Sequence, residues 1–153
     1  MALRLARRAL APAIKDFGTY NVMKTQTPVM VGLYTGHFSL GSKILAEQFE
    51  SMEKSYPKYS FYTCDVDDCP QAAYDAEVVD VPSVVILPLG LKPDGSNYDK
   101  TDMVVVSAEL AKYTDVIPQA KAALDSITVL DSDSEKKPWV FDPATGTTLP
   151  PHN

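Results

Sequence analysis

The chain has 153 residues, enough for one domain with extensions, and a 45% hydrophobic share that suits a buried core. No apolar run approaches the ~18 residues of a membrane span. A formal net charge of −6 argues against phosphate-backbone binding, which depends on basic patches, and two cysteines are too few for a disulfide scaffold. Cys64, Cys69, His37 and His152 do not make a metal-ligand pattern, so neither a metal nor another cofactor is expected.

The charge is uneven. Residues 1–24 hold five of the 14 basic residues and one acid, which leaves 9 basic and 19 acidic residues in 25–153. Nucleic acid could at most touch the basic end. Every arginine of the chain (Arg4, Arg7 and Arg8) lies in the first eight residues. Leu3, Ala6, Leu10, Ala13 and Phe17 follow helical spacing, with Arg4, Arg8 and Lys15 on the other side. This arginine-rich, acid-poor, amphipathic pattern is that of a mitochondrial targeting segment. Residues 1–24 are therefore expected to form a basic arm that serves as both address and docking element. Arg4, Arg7 and Arg8 are its partner contacts, and membrane lipid is a further candidate surface for it.

Gly18 to Thr27 reads as a connector. Thr27-Pro28 opens a strand at 29–34, followed by a turn and a helix from about Ser42 to Ser55. Leu45, Phe49, Met52 and Tyr56 make one buried stripe on that helix, and Pro57 stops it. Glu47, Glu50 and Glu53 form its solvated face. Residues 59–66 are aromatic and β-branched, as a strand requires. Pro70 suits the first turn of a short helix carrying Ala72, Ala73 and Ala76. Strands follow at 83–87 and 103–106, the second antiparallel to the first, with turn signals at Leu89-Gly90 and Asp94-Gly95 between them. Pro118 is placed in the first turn of a helix capped by Asp115, with Val116, Ala120, Leu124 and Ile127 inward. From Thr128 onward the prolines and charges forbid long regular structure. Within that tail, Trp139-Val140-Phe141 is either a hook folded back on its own domain or an anchor set into a neighbour, with Trp139 and Phe141 as the docking residues.

The turn after the first strand invites two chemistries. Gly36 to Lys43 has the glycine spacing of a phosphate loop, but its Ser42-Lys43 order is reversed. One residue is ~100° of helix rotation, so Lys43 points away from the phosphates. The second chemistry covers more of the chain. Phe38-Ser39-Leu40-Gly41-Ser42-Lys43 resembles the thioredoxin active-site turn, Trp-Cys-Gly-Pro-Cys-Lys, with serine at both cysteine positions. Asp65-Val66-Asp67-Asp68-Cys69-Pro70 and Val81-Pro82-Ser83-Val84 resemble two further segments of that family, and the resemblance spans about residues 25–126.

The resemblance implies a three-layer α/β/α thioredoxin-like fold with a mixed central sheet and a cis bond before Pro82. To this the chain adds an N-terminal basic helix and an extended C-terminal tail. The expected division is 1–24, 25–127 and 128–153. Phe38, Ser39, Ser42, Lys43 and Pro82 would be the remains of an active site. Dithiol exchange needs a thiolate and a resolving thiol, and serine supplies neither. Cys64 and Cys69 are expected away from the turn, and a Ser39–His37 pair lacks an orienting acid. The expectation is therefore a chain that is not an enzyme. It would be an accessory subunit of a large mitochondrial assembly on the matrix side of the inner membrane, such as ATP synthase or an electron-transfer complex, with other protein subunits as partners. The alternatives are a peptide-binding module working through Phe38 and Val81, or a mitochondrial ribosome subunit.

Overall fold

The computed structural model describes residues 11–36, 40–108, 113–129 and 139–150, with backbone alone at 40–44 and 113. The basic stretch 1–10 lies outside the described residues, as do 37–39 at the turn.

Strand β1 (Val29–Thr35) is the spine of the domain. Its first six residues are buried, because it lies inside the sheet and is covered on both faces. β2 (Ser60–Asp65) pairs with it in parallel, Tyr34 against Cys64. β3 (Ser83–Pro88) pairs on the other side, antiparallel, Tyr34 against Ser83. β4 (Val104–Ser107) continues antiparallel to β3, giving the order β2-β1-β3-β4. The sheet is mixed, as expected.

The alternation of β1 sorts the helices into two layers. Val29, Val31 and Leu33 face a core filled by Leu45, Phe49 and Met52 of α2 (Leu40–Ser55) and by Val116, Ala120 and Leu124 of α4 (Tyr113–Ser126). Met30 and Tyr34 face the other core, with Tyr20 of α1 (Phe17–Gln26) and Ala72, Ala73 and Ala76 at α3 (Pro70–Asp75). Burying a large aliphatic or aromatic side chain is worth roughly 1.5–3 kcal/mol, so these two stripes dominate the fold's stability. Gly32 in β1 is a packing requirement, because a Cβ there would lie 2.2 Å from the Tyr62 ring.

Four expectations need correction. Gly18 to Thr27 is no connector. Asp16 accepts hydrogen bonds from the Thr19 N–H (2.7 Å) and hydroxyl, and caps α1. Second, the domain begins before residue 25. Ala13 bridges Thr63 in parallel, with Ile14 N–H donating to Thr63 O at 2.8 Å. Third, α4 starts at Tyr113, so Pro118 sits inside it, with no N–H to donate to the carbonyl of Thr114. Fourth, the tail contains a hairpin. β5 (Val140–Asp142) pairs with β6 (Thr147–Leu149) around a turn closed by Gly146 at φ 74°.

The end of α3 is closed by backbone alone. Val78 N–H donates to Ala73 O at 3.0 Å and Glu77 N–H to Tyr74 O at 3.1 Å. This is the helix-ending motif whose left-handed position normally holds glycine. Here Glu77 occupies it at φ 58°, which costs about 1 kcal/mol or more.

Candidate functional site

The end of β1 and the start of β3 converge, since Tyr34 is opposite Ser83. A Cβ on Gly36 would meet Val81 Cγ2 at 3.1 Å, so the turn begins in contact with the loop before Pro82. The Val81–Pro82 bond is cis, as the resemblance required. Of the turn residues, Phe38 and Ser39 fall outside the described residues, along with His37. Ser42 and Lys43 lie in the first turn of α2.

The loop before Pro82 is pinned from below. Ser83 Oγ donates to the Asp80 carbonyl at 2.7 Å, and Ser107 Oγ donates to the Asp80 carboxylate. Asp80 thus ties β3, β4 and the loop together. No sequence motif marks this cluster, because Ser107 comes to it from a segment 27 positions away.

Cys64 and Cys69 are free and buried. Pairing with Tyr34 brings Cys64 within one strand of the turn, nearer than expected. Its Sγ donates to Cys69 O at 3.7 Å. Burial, then the neighbouring Cys69 and the acids Asp65 and Asp68, push the Cys64 thiol up to about 12. A thiol in that range is essentially all protonated near neutrality, and the thiolate is the nucleophile. Position alone does not make Cys64 a redox centre.

A second cluster joins the two ends of the chain. Lys24, fully buried, donates to Asp75 Oδ2 at 2.9 Å and to Thr148 O at 2.6 Å. Asp75 also accepts from Tyr20 OH (2.7 Å), Lys100 Nζ (2.7 Å) and Thr147 Oγ1 (3.0 Å). Asn21 Oδ1 accepts from Thr148 N–H at 3.0 Å. Burial acts to raise the Asp75 pKa, but the Lys24 charge and the hydrogen bonds from Lys100, Tyr20 and Lys24 win, and the group is held below its ordinary value. Burial lowers Lys24 against the pull of Asp75. Such a network holds elements together when every member is satisfied.

Trp139 belongs to this cluster. It is 1% exposed, its Nε1 donates to Leu89 O at 3.1 Å, and its ring lies 5.2 Å from Lys24 Nζ. Of the two readings of Trp139, the hook folded back on its own domain is the one seen, and its place among the docking residues is corrected. Indole surface buried in its own domain, with the N–H bonded, has nothing left to offer a partner. Phe141 is 53% exposed and still available, whereas Arg4, Arg7 and Arg8 lie outside the described residues. Lys24, Asp75 and Tyr20 were missed from the sequence, since pairs more than 50 positions apart leave no local signal.

Among the described residues no group of His, Cys, Asp and Glu could hold a metal, and no helix is long and apolar enough to cross a membrane.

No protein-family model matches the chain, and no curated protein sequence matches it significantly. Solved structures do. A chain from a study of thiol resolution in yeast mitochondrial 1-Cys peroxiredoxin aligns with a TM-score of 0.56 at 19% identity, covering 77% of this chain and 97% of that one. Thioredoxin from Trypanosoma brucei brucei gives 0.56 at 12% identity, covering 79% and 96%. Plasmodium falciparum thioredoxin gives 0.54 at 13%, covering 76% and 100%. The fold is thioredoxin-like. At these identities the likeness speaks for the fold alone. Within this fold the C-terminal hairpin packs on the α1 face, latched through Lys24.

Proposed function

We propose that the chain is a non-catalytic accessory subunit, a thioredoxin-like scaffold within a larger protein assembly. The observation that carries this reading is the state of the thiols. Serines stand at positions 39 and 42, where the related turn has its cysteines. The two cysteines that do exist are buried, and Cys64 is pushed up to about 12. Attack on a disulfide needs a thiolate that can reach it. A central strand covered on both faces, with the N-terminal segment bonded to β2 and the C-terminal hairpin latched to α1, serves well as a rigid mount.

The arginines at 4, 7 and 8 favour a mitochondrial setting, and the acidic body favours protein neighbours over ribosomal RNA. Within mitochondria the reading extends to a respiratory complex of the inner membrane, on its matrix side: ATP synthase or an electron-transfer complex. The test is affinity purification of the tagged chain under native conditions, with mass spectrometry of co-migrating proteins. A stoichiometric set of respiratory subunits is expected. A chain that migrates only as a monomer removes the proposal.

A second reading is a peptide-binding module, favoured by the contact between Gly36 and Val81 beside the cis Pro82. Unfolded peptide immobilised on resin should then retain the wild-type chain and lose it on Val81→Asp.

A further inference from the structure

The chain enters the domain along the outer edge of β2. Ile14 N–H donates to Thr63 O at 2.8 Å and Thr63 N–H to Pro12 O at 2.9 Å, so residues 12–14 run parallel to that edge strand. Ala13 is level with Thr63, and two residues back along a parallel pair Ala11 comes level with Phe61. Ala11 packs on the core between the sheet and α2. Phe61 meets Phe49 of α2 there, with ring centroids 5.4 Å apart. Glu53 lies one helical turn on from Phe49, and Glu50 is its i, i+3 neighbour on the same flank. Both are half-buried, and neither has an ion-pair partner among the described residues. Glu53 Oε1 is sealed from solvent and accepts no hydrogen bond from any described residue. Burial, then the charge of Glu50, raise the Glu53 pKa. A carboxylate oxygen sealed in beside a like charge, with no donor, is short of a cation.

We propose that residues 1–10 of the same chain supply it, docking on the flank between β2 and α2 with Arg8 and Arg7 against Glu53 and Glu50. Three things select this occupant over any other. The segment holds three arginines and no acid, which complements the two unpaired carboxylates. It joins the described chain at Ala11, already seated on this flank. Arg8 is three residues from Ala11, at most about 10 Å of backbone, and the guanidinium reaches further on its own stem. Going back along β2 also leads toward the last turn of α2, where Tyr59 N–H bonds to Tyr56 O across the connection, and carbonyls at a helix C-terminus favour a cation. The arm is thus tied to its own domain, rather than reserved for a second protein or a lipid surface. This does not depend on the accessory-subunit reading.

Trypsin cuts after arginine and so reads the arm directly. In the full chain the bonds after Arg7 and Arg8, followed by mass spectrometry, should be cut about tenfold more slowly than in Glu50→Gln with Glu53→Gln, because docking lowers the population open to the protease. The protection should fade as salt rises and should not change with protein concentration. Asp67→Asn with Glu77→Gln removes two exposed acids elsewhere and should leave the wild-type rate. As a second measurement, Arg8→Cys with Glu53→Cys should close a disulfide in glutathione redox buffer faster than Arg8→Cys with Gln48→Cys, which lies on the opposite flank of α2. Equal cleavage of wild type and the Glu50 and Glu53 variant overturns the proposal, as does equal acceleration in the Asp67 and Glu77 variant, which would mean attraction to net charge alone. Equal closure of the two cysteine pairs overturns it as well. Protection that appears only as the protein is concentrated would place a second copy's arm on the flank, and protection only with anionic vesicles would place the arm on lipid; either overturns docking within one chain. None of these results bears on whether the chain co-purifies with an assembly.

Discussion

Lys24 Nζ lies 2.9 Å from Asp75 Oδ2, inside the protein, between residues 51 positions apart in the chain. The pair joins α1 to α3, and Thr148 O on Lys24 adds the C-terminal hairpin. Removing one buried charge strands the other. Asp75→Asn should therefore cost about 3–5 kcal/mol, because Lys24 loses its counter-charge. Lys24→Met should cost less, since Asp75 keeps Lys100 and Tyr20. In the double variant the two losses should fall short of additive. Urea unfolding midpoints of the four proteins check this.

The same pair gives the stability a pH dependence. The folded Asp75 pKa lies below its unfolded value of about 3.9. Such a group contributes stability that is present above the unfolded pKa and is lost as pH falls through the folded one. Stability should decline below about pH 4, and Asp75→Asn should flatten that limb. Lys24 acts at the other end. A base whose folded pKa is lowered binds fewer protons folded than unfolded, so its share of stability rises with pH until about 10.4. Thermal midpoints across the pH range, compared between wild type and the two single variants, separate the limbs.

Tyr34 and Tyr62 meet edge to face, with their hydroxyls hydrogen-bonded at 2.6 Å, and Tyr20 packs edge-on against Tyr62. Burial raises all three phenols above the ordinary value. Raised acids are protonated in the folded state where the unfolded state has ionised, so they lose stability as pH climbs past about 10. Phenolate absorbance should therefore rise in stages, with Tyr20, Tyr34 and Tyr62 silent until the domain unfolds. A single smooth titration of all eight would contradict the packing.

Gly32 and Tyr62 are register partners on β1 and β2. Gly32→Ala would place a methyl 2.2 Å from the Tyr62 ring. Overpacking of this kind costs about 1–3 kcal/mol, so the unfolding midpoint should fall. Gly32→Ala combined with Tyr62→Leu should recover part of the loss.

Native-state thiol reactivity tests the proposed silence of the cysteines. In Ellman's reagent at neutral pH the folded chain should react slowly, and both thiols should appear promptly in denaturant. Insulin reduction should stay at the background rate. Fast reaction of one thiol in the folded chain would reopen a redox role.

Trp139 is the single tryptophan and is 1% exposed. Its emission should be that of a buried indole and should shift with global unfolding rather than before it. Trp139→Ala should cost about 3–5 kcal/mol, as removal of a buried aromatic does. An early, separate shift in emission would show the hairpin leaving before the domain unfolds.

The sheet and three of its helices were legible in the sequence because local chemistry wrote them. Val29 to Tyr34 reads as a continuous apolar run because both faces are covered. Leu45, Phe49 and Met52 read as a stripe because α2 has one apolar side. Helix α1 was hidden for the opposite reason. Its buried face is Tyr20, Asn21 and Lys24, polar groups that look like a solvated connector until their partners are known. The turn at 36–43 was legible as a resemblance, and the approach of Gly36 to Val81 followed from the order of the strands.

By itself, then, the sequence determined the layered α/β class, the alternation that sorts the core and the serines at positions 39 and 42. All of these depend on residue type and near-neighbour spacing. Only the tertiary structure decided what becomes of Lys24, Asp75, Cys64 and Trp139. Whether a lysine is solvated or sealed, and whether a tryptophan faces a partner or its own core, depends on groups brought together from distant parts of the chain. Burial then sets their charge and reactivity, and no local pattern records that.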